Sequence, residues 1–177
     1  MPCDRIIVIV KKIKKTIMRS IAIKGQDEHV DPEKKGMFQN RFEDYHHRYT
    51  FASRYVKGKK VLDIACGEGY GSKLLSKKAT RVTGVDVESE AIQVAKEKYG
   101  AKNRRKNTKF ICADAISFLS SSKDRFDVIV SFETVEHVKE YKKFLTLMHE
   151  RLKPGGILLL STPNKKFFDV FFGGTYN

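Results

Sequence analysis

The stretch Val61-Leu62-Asp63-Ile64-Ala65-Cys66-Gly67-Glu68-Gly69-Tyr70-Gly71 constrains this chain more than any other. An apolar run, broken by Asp63, passes directly into three glycines at alternate positions, the pattern of a buried strand that turns sharply and opens a helix. Glycines in such a turn permit positive φ and let a ligand approach the backbone. The Gly67-x-Gly69-x-Gly71 spacing is not the G-x-G-x-x-G of dinucleotide binding. No Gly-Lys-Ser/Thr closes a phosphate loop either, and Asp63 and Glu68 would repel a phosphate. An acid before the loop suits a cationic or hydrogen-bond-donating ligand, such as one carrying an ammonium group.

From Lys59 onward short β-branched runs alternate with helical stretches, which predicts a parallel α/β sheet. Strands are expected near 60–65, 81–86, 108–112, 126–131 and 156–161, and helices near 70–78, 88–99, 115–120 and 138–152. The second strand ends at Asp86, about twenty residues past the loop, where a carboxylate can accept hydrogen bonds from both hydroxyls of a ribose. The third ends at Asp114, placed to take a hydrogen bond from the exocyclic amine of an adenine. Alternatively, Asp63 caps a turn, Asp86 and Asp114 are helix N-caps, and Gly155-Gly156 is a plain turn signal.

With 177 residues and 41% hydrophobic content, the chain is long enough for one core. Residues 1–36 read as a basic amphipathic segment and linker, and 37–177 as the main domain. Between Arg5 and Lys24, Ile6, Ile9, Val10, Ile13, Ile17 and Ile21 recur at helical spacing. Across residues 1–24 seven cations stand against Asp4, a large part of the formal charge of +14. Residues 5–24 therefore predict either a membrane-surface or nucleic-acid contact, or a helix packed on its own domain or a second subunit. A linker, Gly25 to Gly36, leads to an aromatic-rich helix that includes Phe38, Phe42, Tyr45, Tyr49 and Tyr55. His46 and His47 diverge on that helix and read as surface or partly packed. The basic stretch Lys102 to Lys109 reads as a solvated loop with some capacity for an anionic partner. Cys3, Cys66 and Cys112 form no C-x-x-C pair, so a reducing, cytoplasmic setting is expected. No run approaches the length of a membrane span.

Asp63-Ile64-Ala65-Cys66-Gly67-Glu68-Gly69, Asp86, Asp114, Phe126-Asp127-Val128-Ile129-Val130-Ser131 and Leu152-Lys153-Pro154-Gly155-Gly156, in that order, resemble the motif series of class I S-adenosylmethionine-dependent methyltransferases. The match spans about residues 45 to 164. It departs from the series at Ala65, where many members have glycine. The resemblance implies a Rossmann-like, doubly wound parallel sheet with helices on both faces. It also implies that Asp63, Ala65, Cys66, Gly67 and Gly69 lie at the methionine part of the cofactor, Asp86 at the ribose, Asp114 and Ala115 beside the adenine, and Ser131 near the methionine end, with Val87 also in the cofactor site.

Glu133, Glu136 and His137 would share one face if residues 133–137 form a helical turn, and could then hold Mg²⁺ or Mn²⁺. The E-x-x-E-H arrangement is similar to that of metal-dependent small-RNA 2′-O-methyltransferases and, less closely, of ubiquinone-biosynthesis O-methyltransferases. His137 as a general base without metal, or acids placed for the helix dipole alone, are the competing readings.

The family's sheet has two further strands, and none is signalled between Thr162 and Asn177. The fifth strand would then be an exposed edge beside Phe167, Phe168, Phe171 and Phe172, a pairing surface unless a partner or second copy covers it. The expected function is methylation of an oxygen on a small molecule, sugar or glycan precursor. RNA methylation and a non-catalytic cofactor-binding or scaffold subunit are the alternatives.

Overall fold

The computed structural model describes residues 5–11, 37–100 and 106–163. A six-stranded sheet forms their centre. Its strands are β1 (Arg5–Lys11), β2 (Lys60–Ile64), β3 (Arg81–Asp86), β4 (Thr108–Cys112), β5 (Phe126–Phe132) and β6 (Leu152–Pro163), and they lie in the order β1-β6-β5-β2-β3-β4. The last five are mutually parallel, and β1 runs antiparallel to β6. The chain winds outward from β2 to β4 and then returns beside β2 as β5. That reversal opens a crevice outside the carboxyl ends of β2 and β5, where ligands of doubly wound sheets bind.

Helices cover both faces, as the alternating pattern requires. The helix α1 (Met37–Ala52) presents Tyr45, Tyr49 and Ala52 at i, i+4 and i+7 and, with Val56, packs them with Leu75 of α2 (Tyr70–Ser76) against Val61, Val128, Val130 and Phe132. On the same face α3 (Ser89–Ala95) buries Ile92 and Ala95 against Phe110 and Cys66 and runs into a π-helical turn at Lys96–Gly100. The opposite face is filled by Leu119 of α4 (Ala115–Ser121) and by Phe144 and Met148 of α5 (Tyr141–Arg151), over Leu62, Ile64, Val85 and Ile129. Asp127 ties three strands together. It accepts hydrogen bonds from the Lys60 amide at 2.8 Å and from the Lys153 ammonium at 3.0 Å.

Two expectations are corrected. Residues 5–11 are a strand, where helical spacing predicted a helix; the rest of that segment, the linker and the phenylalanine-rich tail lie outside the described residues. The physical reason lies in Ile6-Ile7-Val8-Ile9-Val10, five consecutive β-branched residues that lose little χ1 freedom in an extended chain, beside a sheet edge with unused hydrogen-bonding groups. The edge of β6, expected to be open, is thereby covered from within the chain, with Val8 opposite Leu160 and Lys11 opposite Ile157. The Gly155-Gly156 signal is an irregularity inside β6, which shifts its register on β5 between Phe126 and Val128. No helix among the described residues is long and apolar enough to cross a membrane.

Prolines at both Ile7 and Val8 must remove at least one amide from the β1–β6 ladder. The expected outcome is association that grows with protein concentration as the β6 edge is uncovered, read by size-exclusion chromatography with light scattering; a variant that stays as monodisperse as the parent would contradict the edge-covering role.

Candidate functional site

The loop after β2 is held from below by one buried acid. Asp63 lies on the central strand, opposite Gly84 of β3 and Val130 of β5, with no exposed surface. Its two oxygens accept hydrogen bonds from Tyr49 Oη at 2.9 Å and Ser72 Oγ at 2.6 Å. The donors that meet Asp63 in this structure belong to the protein itself, one from α1 and one from α2. Burial raises its pKa from the usual 3.8 to about 7, the two hydroxyl donors opposing that rise and the nearby Asp86 adding to it. Burial beside Asp63 also pushes the Tyr49 phenol well above its ordinary value.

Tyr49 in turn sits between Phe132, at a centroid distance of 5.2 Å, and Gly71. A Cβ at position 71 would fall inside the Tyr49 ring, so this glycine lets α2 close onto α1. Gly67 differs, having φ +52° and open space where its Cβ would stand. Ala65 adopts φ +57°, a left-handed conformation that costs a non-glycine residue about 1 kcal/mol and explains why glycine is common there in the series.

Three strand tips are laced together around this loop. The Cys66 amide donates to Val85 O at 3.1 Å, the Gly67 amide to Asp86 Oδ2 at 2.7 Å, and the Ala113 amide to Asp86 O at 2.9 Å. Asp86 is half-buried, and its other oxygen accepts from the Glu88 amide at 3.0 Å. Val87 beside it is the one large hydrophobic side chain strongly exposed among the described residues, at 62%. Asp114 is exposed and does act as an N-cap, accepting from the Ser117 amide at 2.8 Å, which lowers its pKa; Ala115 follows it as the first residue of α4. Cys66 turns its thiol into the α3 cluster, where burial pushes its pKa up, so it reaches the loop through its backbone. Ser131 lies one residue before the end of β5, opposite Ile64, and its Oγ is buried with no hydrogen-bond partner, an arrangement that costs about 1–3 kcal/mol and calls for an explanation.

The structure does not assemble the expected metal triad. Glu133 stands before the helical turn, at φ +51°, and the turn that follows is a 3₁₀ helix at Val135–His137, so helical spacing does not relate the three residues. Glu133 Oε1 accepts from Ser161 Oγ at 2.8 Å and lies 4.0 Å from Arg48 Nη1, while Glu136 Oε2 accepts from Thr162 Oγ1 at 3.0 Å. The His137 side chain is 78% exposed, its Nε2 4.0 Å from Glu136. Among the described residues no three His, Cys, Asp or Glu side chains are grouped as a metal requires, and these residues do not fit one as arranged.

Tyr49 and Ser72, which hold the loop, escaped the sequence reading. A tyrosine at the same helical phase as Tyr45 and Ala52 reads as core, and its hydrogen bond to a strand residue has no spacing signature. His46 and His47 are exposed as expected, but His46 Nδ1 meets Tyr70 Oη at 2.7 Å, linking α1 to the first residue after the glycine loop.

A model of the methyltransferase domain matches residues 56–171. The chain belongs to that family. The curated relatives of this methyltransferase domain include a ubiquinone biosynthesis O-methyltransferase of Coxiella burnetii, 39% identical over 112 residues that make up 63% of this chain and 47% of the relative. A probable S-adenosylmethionine-dependent methyltransferase of Mycolicibacterium smegmatis is 32% identical over 120 residues, 68% of this chain and 44% of the relative. The chain thus spans about half the length of the relatives it matches. Its fold is shared with the N-methyltransferase NodS of Bradyrhizobium japonicum in complex with S-adenosylhomocysteine, at a TM-score of 0.57 and 23% identity over 72% of this chain and 63% of that one. The family and the fold are those of class I S-adenosylmethionine-dependent methyltransferases.

The buried acid makes the methyltransferase domain pH-sensitive in a definite direction. Asp63 binds its proton more tightly folded than unfolded, so its contribution is complete below about pH 4 and is lost as pH rises through about 7. Its size is up to about 4 kcal/mol. The melting temperature of the parent, measured against Asp63→Asn, should fall progressively between pH 4 and 8; parallel curves would show that Asp63 does not titrate there.

Proposed function

We propose that this domain binds S-adenosylmethionine across the carboxyl ends of β2, β3 and β4 and transfers its methyl group to an oxygen of a small-molecule acceptor. The observation that carries the reading is the tip of β3, where a half-buried carboxylate bonded to the glycine loop adjoins an exposed apolar side chain. The residues fit the cofactor. Asp86 would accept from the ribose hydroxyls, Val87, Asp114 and Ala115 would border the adenine, and the open space at Gly67 would admit the methionine part, with Gly69 and Ser131 beside it. Asp63 serves as a positioning residue beneath them. When bound, the cofactor supplies an electrophilic methyl on a sulfonium.

An acceptor hydroxyl held on this rim would be the nucleophile for that methyl, with the sulfur keeping the electron pair of the bond it loses. The acceptor's proton goes to a base, for which the exposed imidazole of His137 is the candidate on this rim. Alignment of the groups supplies much of the rate. The choice of oxygen as acceptor is supported by the Coxiella relative's description as an O-methyltransferase.

Titration calorimetry with S-adenosylhomocysteine should give micromolar affinity, reduced at least tenfold in Asp86→Ala with the fold intact. Unchanged affinity in that variant would overturn the placement of the ribose. A His137→Ala variant should bind S-adenosylhomocysteine as the parent does and lose at least a hundredfold in methyl transfer to a hydroxylated acceptor; equal turnover would remove His137 as the base.

A further inference from the structure

At the opposite end of the sheet lies a cleft of about 380 Å³, bordered by Arg81, Lys106, Lys109 and Asp124 with Ile111 and Phe118 inside. It exists because α4 is short. Seven helical residues rise only about 10 Å, whereas six residues of β3 extend about 20 Å. The helix therefore covers the carboxyl half of β3 and β4 and leaves their amino half open. Among the described residues β4 is the edge of the sheet on that side.

The chemistry of the opening is lopsided. Arg81, Lys106 and Lys109 are exposed and form no ion pair among the described residues, while Asp124, the acid on the rim, is bound at 2.8 Å by Lys60 and also feels the charges of Arg81 and Lys109. Beneath these cations lie the half-buried side chains of Ile111 and Phe118 beside the buried hydroxyl residue Thr83. The volume lies within the range of small-ligand clefts, about 300–1,000 Å³. Cations around an aromatic floor match a phosphate joined to a flat ring.

We propose that this cleft is a second ligand site, which takes a nucleotide with its phosphate on Arg81, Lys106 and Lys109 and its base on Phe118. The nucleotide is either free or one unit of an RNA strand. The site is separate from the strand tips that would hold S-adenosylmethionine, and the proposal stands whether or not methyl transfer occurs.

The test uses protein saturated with S-adenosylhomocysteine, so that the other site is filled. Fluorescence polarisation follows a labelled eight-nucleotide uridine RNA, with competition by uridine 5′-monophosphate. The triple variant Arg81→Gln/Lys106→Gln/Lys109→Gln should weaken RNA binding at least tenfold and flatten the salt slope by roughly 2. Its melting temperature and S-adenosylhomocysteine affinity should be unchanged. A control that removes three exposed cations at the start of α5, Lys139→Gln/Lys142→Gln/Lys143→Gln, should have little effect. Displacement by the mononucleotide assigns the free nucleotide as a ligand, and binding by RNA alone assigns the strand; both support the site. Equal loss in the two triple variants, no loss in the cleft variant, or no binding of either probe would overturn it.

Discussion

A carboxylate with no exposed surface, on the middle strand of the sheet, is the constraint on which the rest of the site depends. Burying a charge is costly unless donors meet it, and two hydroxyls do so here. Tyr49 arrives from the helix before the sheet and Ser72 from the helix after the glycine loop. A single side chain thereby fixes how α1, β2 and α2 come together, and the loop between β2 and α2 inherits its shape from that junction. The tight seat of Tyr49 against Gly71 is the packing counterpart of the same requirement.

Above that junction backbone amides do the donating. The tips of β2 and β4 each hand hydrogen bonds to β3, the Gly67 amide to the Asp86 carboxylate and the Ala113 amide to the Asp86 carbonyl, so that Gly67, Asp86 and Ala113 are placed relative to one another. A ligand laid across these tips meets groups that are already oriented, and less ordering entropy is lost on binding. The hydroxyls of Ser161 and Thr162 perform a similar service for the loop after β5, restraining Glu133 and Glu136.

The parallel strands were legible in the sequence because burial on both faces demands continuous β-branched runs, and the observed strands 81–86 and 108–112 coincide with the expected ones. The tips were legible too, since Asp86 and Asp114 terminate apolar runs where a charge has no structural reason to be buried. Other features could not be read. Residues 5–11 satisfy a helical stripe as well as a strand, and what decides between them is a vacant edge 150 positions away, which periodicity does not see. Glu133, Glu136 and His137 looked coplanar on an assumed helix, and one left-handed residue at 133 separated them. Asp63 carries the right chemistry for a ligand, but the partners that claim it lie on other elements.

The pairing of β1 with β6 joins the most distant segments described. Contacts between residues so far apart in sequence close the longest loop in the fold, and loop closure of that kind slows folding more than it weakens the product. On a ribosome β1 emerges before β6 and stays without its partner until β6 has been made, during which its apolar residues are open to other chains. The strand that finally shields the sheet is thus the one whose own protection comes last, and the order of synthesis becomes a factor in how much of the protein reaches its native state.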